Sequence, residues 1–134
     1  MSHSLQFSHN HAYRSGSHIT VPMTLISSSS RWADAIAAVD TGSTFCIFDR
    51  MYGETLGLQI ESGLEQRIVT ATGSFYCYGH EVTVSVFDLE WQAVVYFAEA
   101  DDFSINVVGR VGFLDRLKIG IVDYEQLLYL GIYD

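Results

Sequence analysis

The chain has 134 residues, which suffices for one domain with its own hydrophobic core and leaves no room for two. Hydrophobic side chains make up 49% of it and charged ones 17%, with a single proline, so its composition excludes disorder over most of its length. Its 16 acidic and 7 basic side chains give a net charge of −9, which is the wrong sign for binding nucleic acid or an anionic membrane.

The first 18 residues are a polar mixture of Ser, His and Asn that includes four of the five histidines. We expect residues 1–18 to form a flexible arm and residues 19–134 to form the domain. The histidines have no ligand-like spacing, and Cys46 and Cys77 lie outside any metal-binding pair, so we expect no metal or cofactor and two ordinary buried thiols. No secretory or membrane-spanning pattern is present, which favours a cytoplasmic location.

The remaining sequence predicts a mostly β fold, taken here in chain order. Residues 18–26 indicate a strand, and residues 33–39 indicate a buried strand that delivers Asp40 to a turn. A turn of helix is expected within residues 50–58, and β-branched and aromatic residues predict a long hairpin over 66–87 with its tip near Gly73. Further predicted elements are a short apolar run at 45–48, strands at 91–97 and 105–110, a short helix at 111–118 and a last strand within 124–133.

The strongest functional signal is the run Asp40-Thr41-Gly42-Ser43. It places an acid at the end of an apolar strand and follows it with a hydroxyl and a glycine. We expect the desolvation of this acid to be offset by nearby hydrogen-bond donors, because an uncompensated buried charge is costly. The alternative is a structural acid that caps the backbone N–H groups of the turn.

Three features in chain order resemble the retroviral-type aspartic proteases, the single-domain relatives of pepsin. They are the Asp-Thr-Gly-Ser run after an apolar strand, the hairpin tip Thr72-Gly73-Ser74 followed by Phe75, and Ile105-Asn106-Val107-Val108-Gly109-Arg110 before a predicted helix. The resemblance implies a retropepsin-like, single-lobe acid-protease barrel with a flap hairpin and one short C-terminal helix. Ser43, where the viral enzymes usually have alanine, favours a cellular or bacterial member.

The same resemblance implies an aspartic endopeptidase that cleaves polypeptides between preferably hydrophobic residues. Two carboxylates must share a proton in this chemistry, and the chain has one Asp-Thr-Gly run. The resemblance therefore implies a homodimer in which each chain contributes Asp40. The negative charge of the chain opposes self-association at neutral pH, so we expect activity to be greatest at acidic pH.

The resemblance also assigns roles to single residues. Thr41 would hydrogen-bond across the two-fold axis, Gly42 would accept a substrate N–H, and Ser43 would hydrogen-bond the outer carboxylate oxygen of Asp40. Gly109 and Arg110 would belong to the dimer contact. The expected substrate-contacting residues, in the flap and the subsites, are Thr44, Ile47, Ala71, Thr72, Gly73, Phe75, Ile105 and Val107.

The chain departs from the viral pattern at one informative place. In the viral enzymes the arginine of the second motif pairs with an acid four residues after the catalytic one, and here that residue is Thr44. The role of Arg110 at a dimer contact is therefore open. The segment after Gly109 is longer than in the viral enzymes, so their terminal four-stranded sheet, which holds the dimer together, cannot be assumed. Tyr124 and residues 127–130 are the candidates for what replaces it.

Two other functions remain open at this stage. One is a non-catalytic dimerisation or peptide-binding module of the same fold, and the other is a monomeric, inactive precursor form. A phosphoryl-transfer enzyme with a nucleophilic aspartate is disfavoured, because it needs a second acid at Gly42 and long helices between its strands.

Overall fold

The computed structural model describes residues 1–14, 18–103 and 105–133. The mostly β fold is confirmed, with one short helix, α1 (Arg50–Thr55), at the predicted turn of helix. The strands are β1 (His9–Ala12), β2 (Thr20–Ile26), β3 (Trp32–Val39), β4 (Ile47–Phe48), β5 (Leu64–Thr70), β6 (Gly73–Val86), β7 (Leu89–Ala98), β8 (Val107–Val108), β9 (Leu117–Val122) and β10 (Leu127–Ile132).

The strands form two sheets. The larger has seven strands in the order β2-β3-β8-β4-β7-β6-β5, and β6 also pairs with β2. Its β3–β8 and β4–β7 pairs are parallel, and its other pairs are antiparallel. The smaller sheet is antiparallel, in the order β1-β10-β9. The largest fully buried side chains of the core are Phe48, Phe97 and Phe113.

Strand β3 carries the chain to Asp40. The sequence predicts a wholly buried strand, and the structure instead shows alternation, with three alanines (33, 35, 37) facing the core and Asp34 and Ile36 exposed. The alternation arises because neighbouring side chains of a strand point to opposite faces of the sheet. One face of β3 therefore stays accessible up to the point where the strand ends at Val39.

The hairpin predicted over residues 66–87 is present. Strands β5 and β6 pair antiparallel, with Thr70 opposite Gly73, so that Ala71 and Thr72 form the turn. Pairing between β6 and β7 begins only at Cys77. The first three residues of β6 therefore pair with β5 alone, and the tip of the hairpin extends beyond the rest of the sheet.

The helix predicted over residues 111–118 is wrong. The structure has a single 3-10 turn at Leu114–Arg116, followed at once by β9. Leu117, Ile119 and Ile121 alternate along this segment, and they pair with β10 in an antiparallel ladder. The period-two pattern and the pairing partner outweigh the helical spacing on which the prediction rests.

The flexible arm predicted for residues 1–18 is wrong at residues 9–12. There β1 pairs with β10, with His9 opposite Leu130. The His9 imidazole lies 2.6 Å from the Asp88 carboxylate and stacks on the Phe87 ring at a centroid distance of 5.6 Å. Tertiary partners therefore order a segment whose polar composition gives no strand signal, while residues 15–17 lie outside the described ranges. In the described ranges, no helix has the length and apolar character needed to cross a membrane.

Candidate active site

The site is built around the turn that follows β3. The Asp40 N–H donates to the Val108 carbonyl at 2.9 Å, and the Asp40 carboxylate accepts a hydrogen bond from the Gly42 N–H at 2.9 Å. The Ser43 N–H closes the turn on the Asp40 carbonyl at 3.1 Å. Asp40 is exposed in the single chain, contrary to the desolvated acid expected from its apolar flank.

The segment from Gly109 to Val111 crosses this turn and fixes its position. The N–H groups of Arg110 and Val111 donate to the carbonyls of Ser43 and Thr44 at 2.9 and 2.8 Å. The crossing requires glycine at position 109, because an added Cβ would overlap the carbonyl oxygens of Ser43 and of Phe45. Gly109 thereby allows the two backbones to approach more closely than any side chain would permit.

Asn106 is a positioning residue that sequence reasoning missed. Its buried side chain accepts a hydrogen bond from the Asp49 N–H at 2.9 Å and donates to the Ile36 carbonyl at 3.2 Å. It thus joins β3 to the segment that follows β4, beside the Asp40 turn. The available signal was a single polar residue between the apolar side chains of Ile105 and Val107.

The hydroxyl groups of Ser43 and Thr41 differ in their hydrogen bonding. Ser43 donates from Oγ to the Phe45 carbonyl at 2.7 Å, whereas its expected partner was the carboxylate of Asp40. Thr41 is exposed, and its hydroxyl bonds to no residue that the structure describes. Ser43 stabilises the loop itself, and Thr41 is accessible to a second molecule.

A cavity of about 430 Å³ separates the Asp40 turn from the hairpin. It lies between the turn on one side and β5 on the other. Its lining residues are Gly42, Ser43, Thr44, Phe45, Ile47, Arg67, Ile68 and Val69. The cavity could hold an extended chain of a few residues beside the carboxylate.

An apolar cluster adjoins this cavity. Buried Ile47, Cys77 and Tyr96 form its centre, and the side chains packed against them are Phe45, Ile68, Phe75, Phe103 and Val107. The cluster brings together three of the predicted substrate-contacting residues, namely Ile47, Phe75 and Val107, the first and last of which are directly opposite in the β4–β8 pair.

The other predicted contacts lie outside this cluster. Ala71, Thr72 and Gly73 are exposed at the hairpin tip, Thr44 is exposed on the turn, and Ile105 is partly exposed before β8. Sequence reasoning missed Phe45, Ile68 and Phe103. Ile68 could have been found, because it lies opposite Phe75 in the register of the predicted hairpin.

A second cavity, of about 550 Å³, lies on the other side of the turn. Its lining residues are Thr41, Thr44, Arg110, Val111, Leu114 and Asp115. Thr44 therefore lines both cavities. Within the described ranges no carboxylate pairs with the exposed Arg110 guanidinium.

Neither cysteine is available as a nucleophile. Burial raises the pKa of the Cys46 thiol to about 11 and that of the Cys77 thiol to about 12, so both stay protonated at neutral pH. Both are free and buried, as predicted. Across the part of the chain that the structure describes, no group of three or more His, Cys, Asp and Glu side chains is arranged to hold a metal ion.

Comparison with solved structures identifies the fold. A retropepsin-like aspartic protease from Rickettsia conorii matches with a TM-score of 0.67 and 18% identity, over 90% of this chain and 95% of that one. EIAV protease, in complex with the inhibitor HBY-793, matches with a TM-score of 0.55 and 15% identity, over 73% of this chain and 86% of that one. No protein-family model and no curated protein sequence matches the chain. The chain has a retropepsin-like fold.

Proposed function

We propose that this chain is an aspartic endopeptidase that works as a homodimer, with Asp40 of each subunit as the catalytic carboxylate. The observation that carries the proposal is the position of Asp40. Its carboxylate faces solvent at the end of β3, held by the Gly42 N–H in a turn that the Gly109 segment fixes from behind. The retropepsin-like fold supports the same reading.

The chemistry requires two such carboxylates. With the two groups about 3 Å apart and sharing one proton, one accepts a proton from a water molecule while the other donates to the carbonyl oxygen of the peptide. Attack of that water gives a tetrahedral intermediate, and protonation of the amide nitrogen then releases the amine. The two carboxylates would titrate as a pair, since like charges at this distance cannot ionise independently.

The second carboxylate comes from a second copy of the chain. Asp40 is the one acid of its turn, and its exposure in the single chain leaves room for an equivalent turn across a two-fold axis. Thr41 is exposed beside it and would hydrogen-bond to the partner turn. Burial of both carboxylates would then occur only on dimerisation.

The hairpin would supply the remaining parts of the site. The exposed tip, Ala71 to Gly73, would act as a flap over a peptide bound in the cavity of about 430 Å³. Exclusion of water beneath the flap would strengthen the polar contacts with the substrate. The apolar cluster around Ile47 favours hydrophobic side chains on both sides of the cleaved bond. We assign this activity to residues 19–134. Strand β1 precedes this range and belongs to the three-stranded sheet that it forms with β10 and β9.

The test is cleavage of an unfolded protein such as casein, measured between about pH 3.5 and 7, with and without pepstatin. The variant is Asp40→Asn, which removes the carboxylate and keeps the size of the side chain. The matched control is Asp34→Asn, which makes the same charge change at an exposed position of β3, where the carboxylate accepts a hydrogen bond from the Thr24 hydroxyl. Thermal unfolding of all three proteins verifies that they are folded.

The proposal predicts that the parent and Asp34→Asn cleave casein, that pepstatin inhibits both, and that Asp40→Asn is inactive. Cleavage by Asp40→Asn at the parent rate would contradict it. A folded parent that cleaves nothing at any protein concentration would favour a peptide-binding module or an inactive monomer.

A further inference from the structure

We infer that Asp102 binds a basic side chain of the substrate, so that the enzyme prefers peptides with Arg or Lys a few residues from the cleaved bond. The inference rests on the proposed function and adds a charge preference to the hydrophobic preference at the bond itself. It concerns a cavity of about 200 Å³ between the hairpin of β5 and β6 and the loop that follows β7.

The walls of this cavity are apolar except at one residue. Phe75 of β6 and Phe103 of the loop form an aromatic pair with a centroid distance of 5.4 Å. The lining also includes Ala98 and Ala100, and Asp102 is its one charged residue. At about 30 Å³ per non-hydrogen atom, as in liquid water, the cavity holds about six or seven such atoms, which is the size of one long side chain.

Asp102 is a carboxylate available for a ligand. It is exposed, and it has no hydrogen bond or ion pair with any residue that the structure describes. The neighbouring acids of the loop are engaged. Glu99 accepts a hydrogen bond from the Tyr78 hydroxyl at 3.0 Å, and Asp101 lies 4.0 Å from the Arg50 guanidinium. Asp102 is therefore the acid of this loop that remains for a basic side chain.

The loop that carries Asp102 is held in place on both sides of this residue. The Glu99 N–H donates to the Tyr76 carbonyl at 2.9 Å, and the Glu99 carbonyl accepts a hydrogen bond from the Arg50 guanidinium at 3.1 Å. The Phe103 ring packs against the apolar cluster that adjoins the proposed substrate cleft, the cavity of about 430 Å³. The cavity beside Asp102 is therefore formed before a ligand arrives.

The hairpin connects this cavity with the substrate cleft. Ile68 lines the cleft and lies directly opposite Phe75 in the register of β5 and β6, so the two side chains project from the same face of the hairpin. Ile68, Phe75 and Phe103 all pack against the apolar cluster and are only partly buried, so they form one accessible apolar surface. The face of the hairpin that borders the cleft therefore also forms a wall of the cavity.

The distance between the two cavities sets the position of the basic residue in the substrate. Neighbouring strands lie about 4.8 Å apart, and an extended peptide rises about 3.3 Å per residue. The cavity therefore begins about one to two residues along a bound peptide from its contact with Ile68. In a homodimer this arrangement occurs on both sides of the cleaved bond.

A basic side chain satisfies both parts of the cavity. Its methylene groups pack against the two phenyl rings, and its cation is attracted both by the ring faces and by the Asp102 carboxylate. Arginine is favoured most, because its planar guanidinium stacks on aromatic rings and forms two parallel hydrogen bonds with a carboxylate. A neutral side chain of the same size would displace water from the carboxylate and offer it no partner.

The experiment compares peptides that differ only in charge. Each has a hydrophobic pair at the cleaved bond and either arginine or citrulline, its uncharged isostere, at the second, third or fourth residue on either side. The enzymes are the parent, Asp102→Asn and the control Asp101→Asn. Asp101 is the adjacent exposed acid and does not line the cavity, so its replacement makes the same change of charge in the same loop.

We expect the parent to cleave the best arginine peptide with a kcat/KM about fivefold above that of its citrulline counterpart, which corresponds to about 1 kcal/mol for an accessible ion pair. Asp101→Asn retains this ratio and Asp102→Asn reduces it to about one. The affinities of the same peptides for Asp40→Asn, measured by calorimetry, show the same ratio without turnover, and the double variant Asp40→Asn/Asp102→Asn loses it.

Equal kcat/KM and equal affinities for the two kinds of peptide at every position would overturn the inference, as would an arginine preference that survives Asp102→Asn. A preference that falls equally in Asp101→Asn would also overturn it, since the general charge of the loop would then be the cause. A parent that cleaves neither peptide refutes the proposed function. The affinities for Asp40→Asn then decide the role of Asp102 by themselves, and absence of binding counts against it.

Discussion

Replacing Gly109 by alanine is expected to destabilise the fold and to displace the Asp40 turn. The new Cβ would lie 2.6 Å from the Phe45 carbonyl oxygen and closer still to that of Ser43, whereas ordinary contacts between carbon and oxygen are about 3.3 Å or longer. The backbone must therefore move by at least about 0.7 Å. Both obstructing atoms are backbone oxygens, so no side-chain rotation relieves the contact.

We expect Gly109→Ala to lower the free energy of unfolding by about 3 kcal/mol, from overpacking together with a weakened hydrogen bond between Arg110 and Ser43. Because a displacement near 1 Å can reduce catalysis about 100-fold, peptidase activity should fall far more than the folded fraction does. Urea unfolding measures the first effect and peptide cleavage the second.

The control for this variant is Gly53→Ala in α1. Its Cβ would meet the buried side chains of Ile60 and Phe97 at 3.0 Å, so these side chains must shift by a few tenths of an ångström, whereas alanine favours the helix by about 1 kcal/mol. We expect its stability to stay within about 1 kcal/mol of the parent. If Gly109→Ala matched the parent in stability and activity, position 109 would not require glycine for its close contact with the Asp40 turn.

Three further predictions follow from burial, hydrogen bonding and charge. Because burial raises the pKa of Cys46 to about 11, the unfolded chain loses this proton at lower pH than the folded one, and stability falls as pH rises from about 9 to 11. Between about pH 8 and 10.5 the free energy of unfolding of the parent should fall, and in Cys46→Ala this fall should be smaller by about 2 kcal/mol. Urea titrations measure both, and an equal fall in the two proteins would exclude the Cys46 thiol as the cause. Asn106→Ala should lower the free energy of unfolding by about 3 kcal/mol in the same titrations, since it leaves the Asp49 N–H and the Ile36 carbonyl without partners. A loss below about 1 kcal/mol would exclude a stabilising role for these two hydrogen bonds. Finally, with a net charge of −9 per chain, dimerisation measured by sedimentation should strengthen as salt rises or pH falls, and activity should be greatest at acidic pH; an activity optimum above about pH 8 would contradict this.

The elements that could be predicted from the sequence are those whose signal is local. β-branched and aromatic residues predict the hairpin of β5 and β6, and the Asp-Thr-Gly-Ser run after an apolar segment predicts the turn at Asp40. Both depend on neighbouring residues alone, and the structure has both elements.

The elements that were missed depend on distant partners. Strand β1 is ordered by β10, more than 100 residues away in the chain, and the segment after Gly112 becomes a strand because β10 pairs with it. Asn106 matters through the carbonyl of Ile36 and the N–H of Asp49, which no local pattern connects to it. The exposure of Asp40 likewise depends on the whole chain, and the sequence pattern alone indicated the opposite.

The most direct test of the central claim is a mixing experiment at a protein concentration where sedimentation shows a dimer. The parent is held at a fixed concentration, and an equal amount of Asp40→Asn is added and allowed to exchange. If each active site needs Asp40 from both subunits, half of the parent chains become trapped in inactive mixed dimers, and peptidase activity falls to about half. Activity that is unchanged or higher, with mixed dimers shown to form, would mean that one Asp40 suffices and would contradict the account.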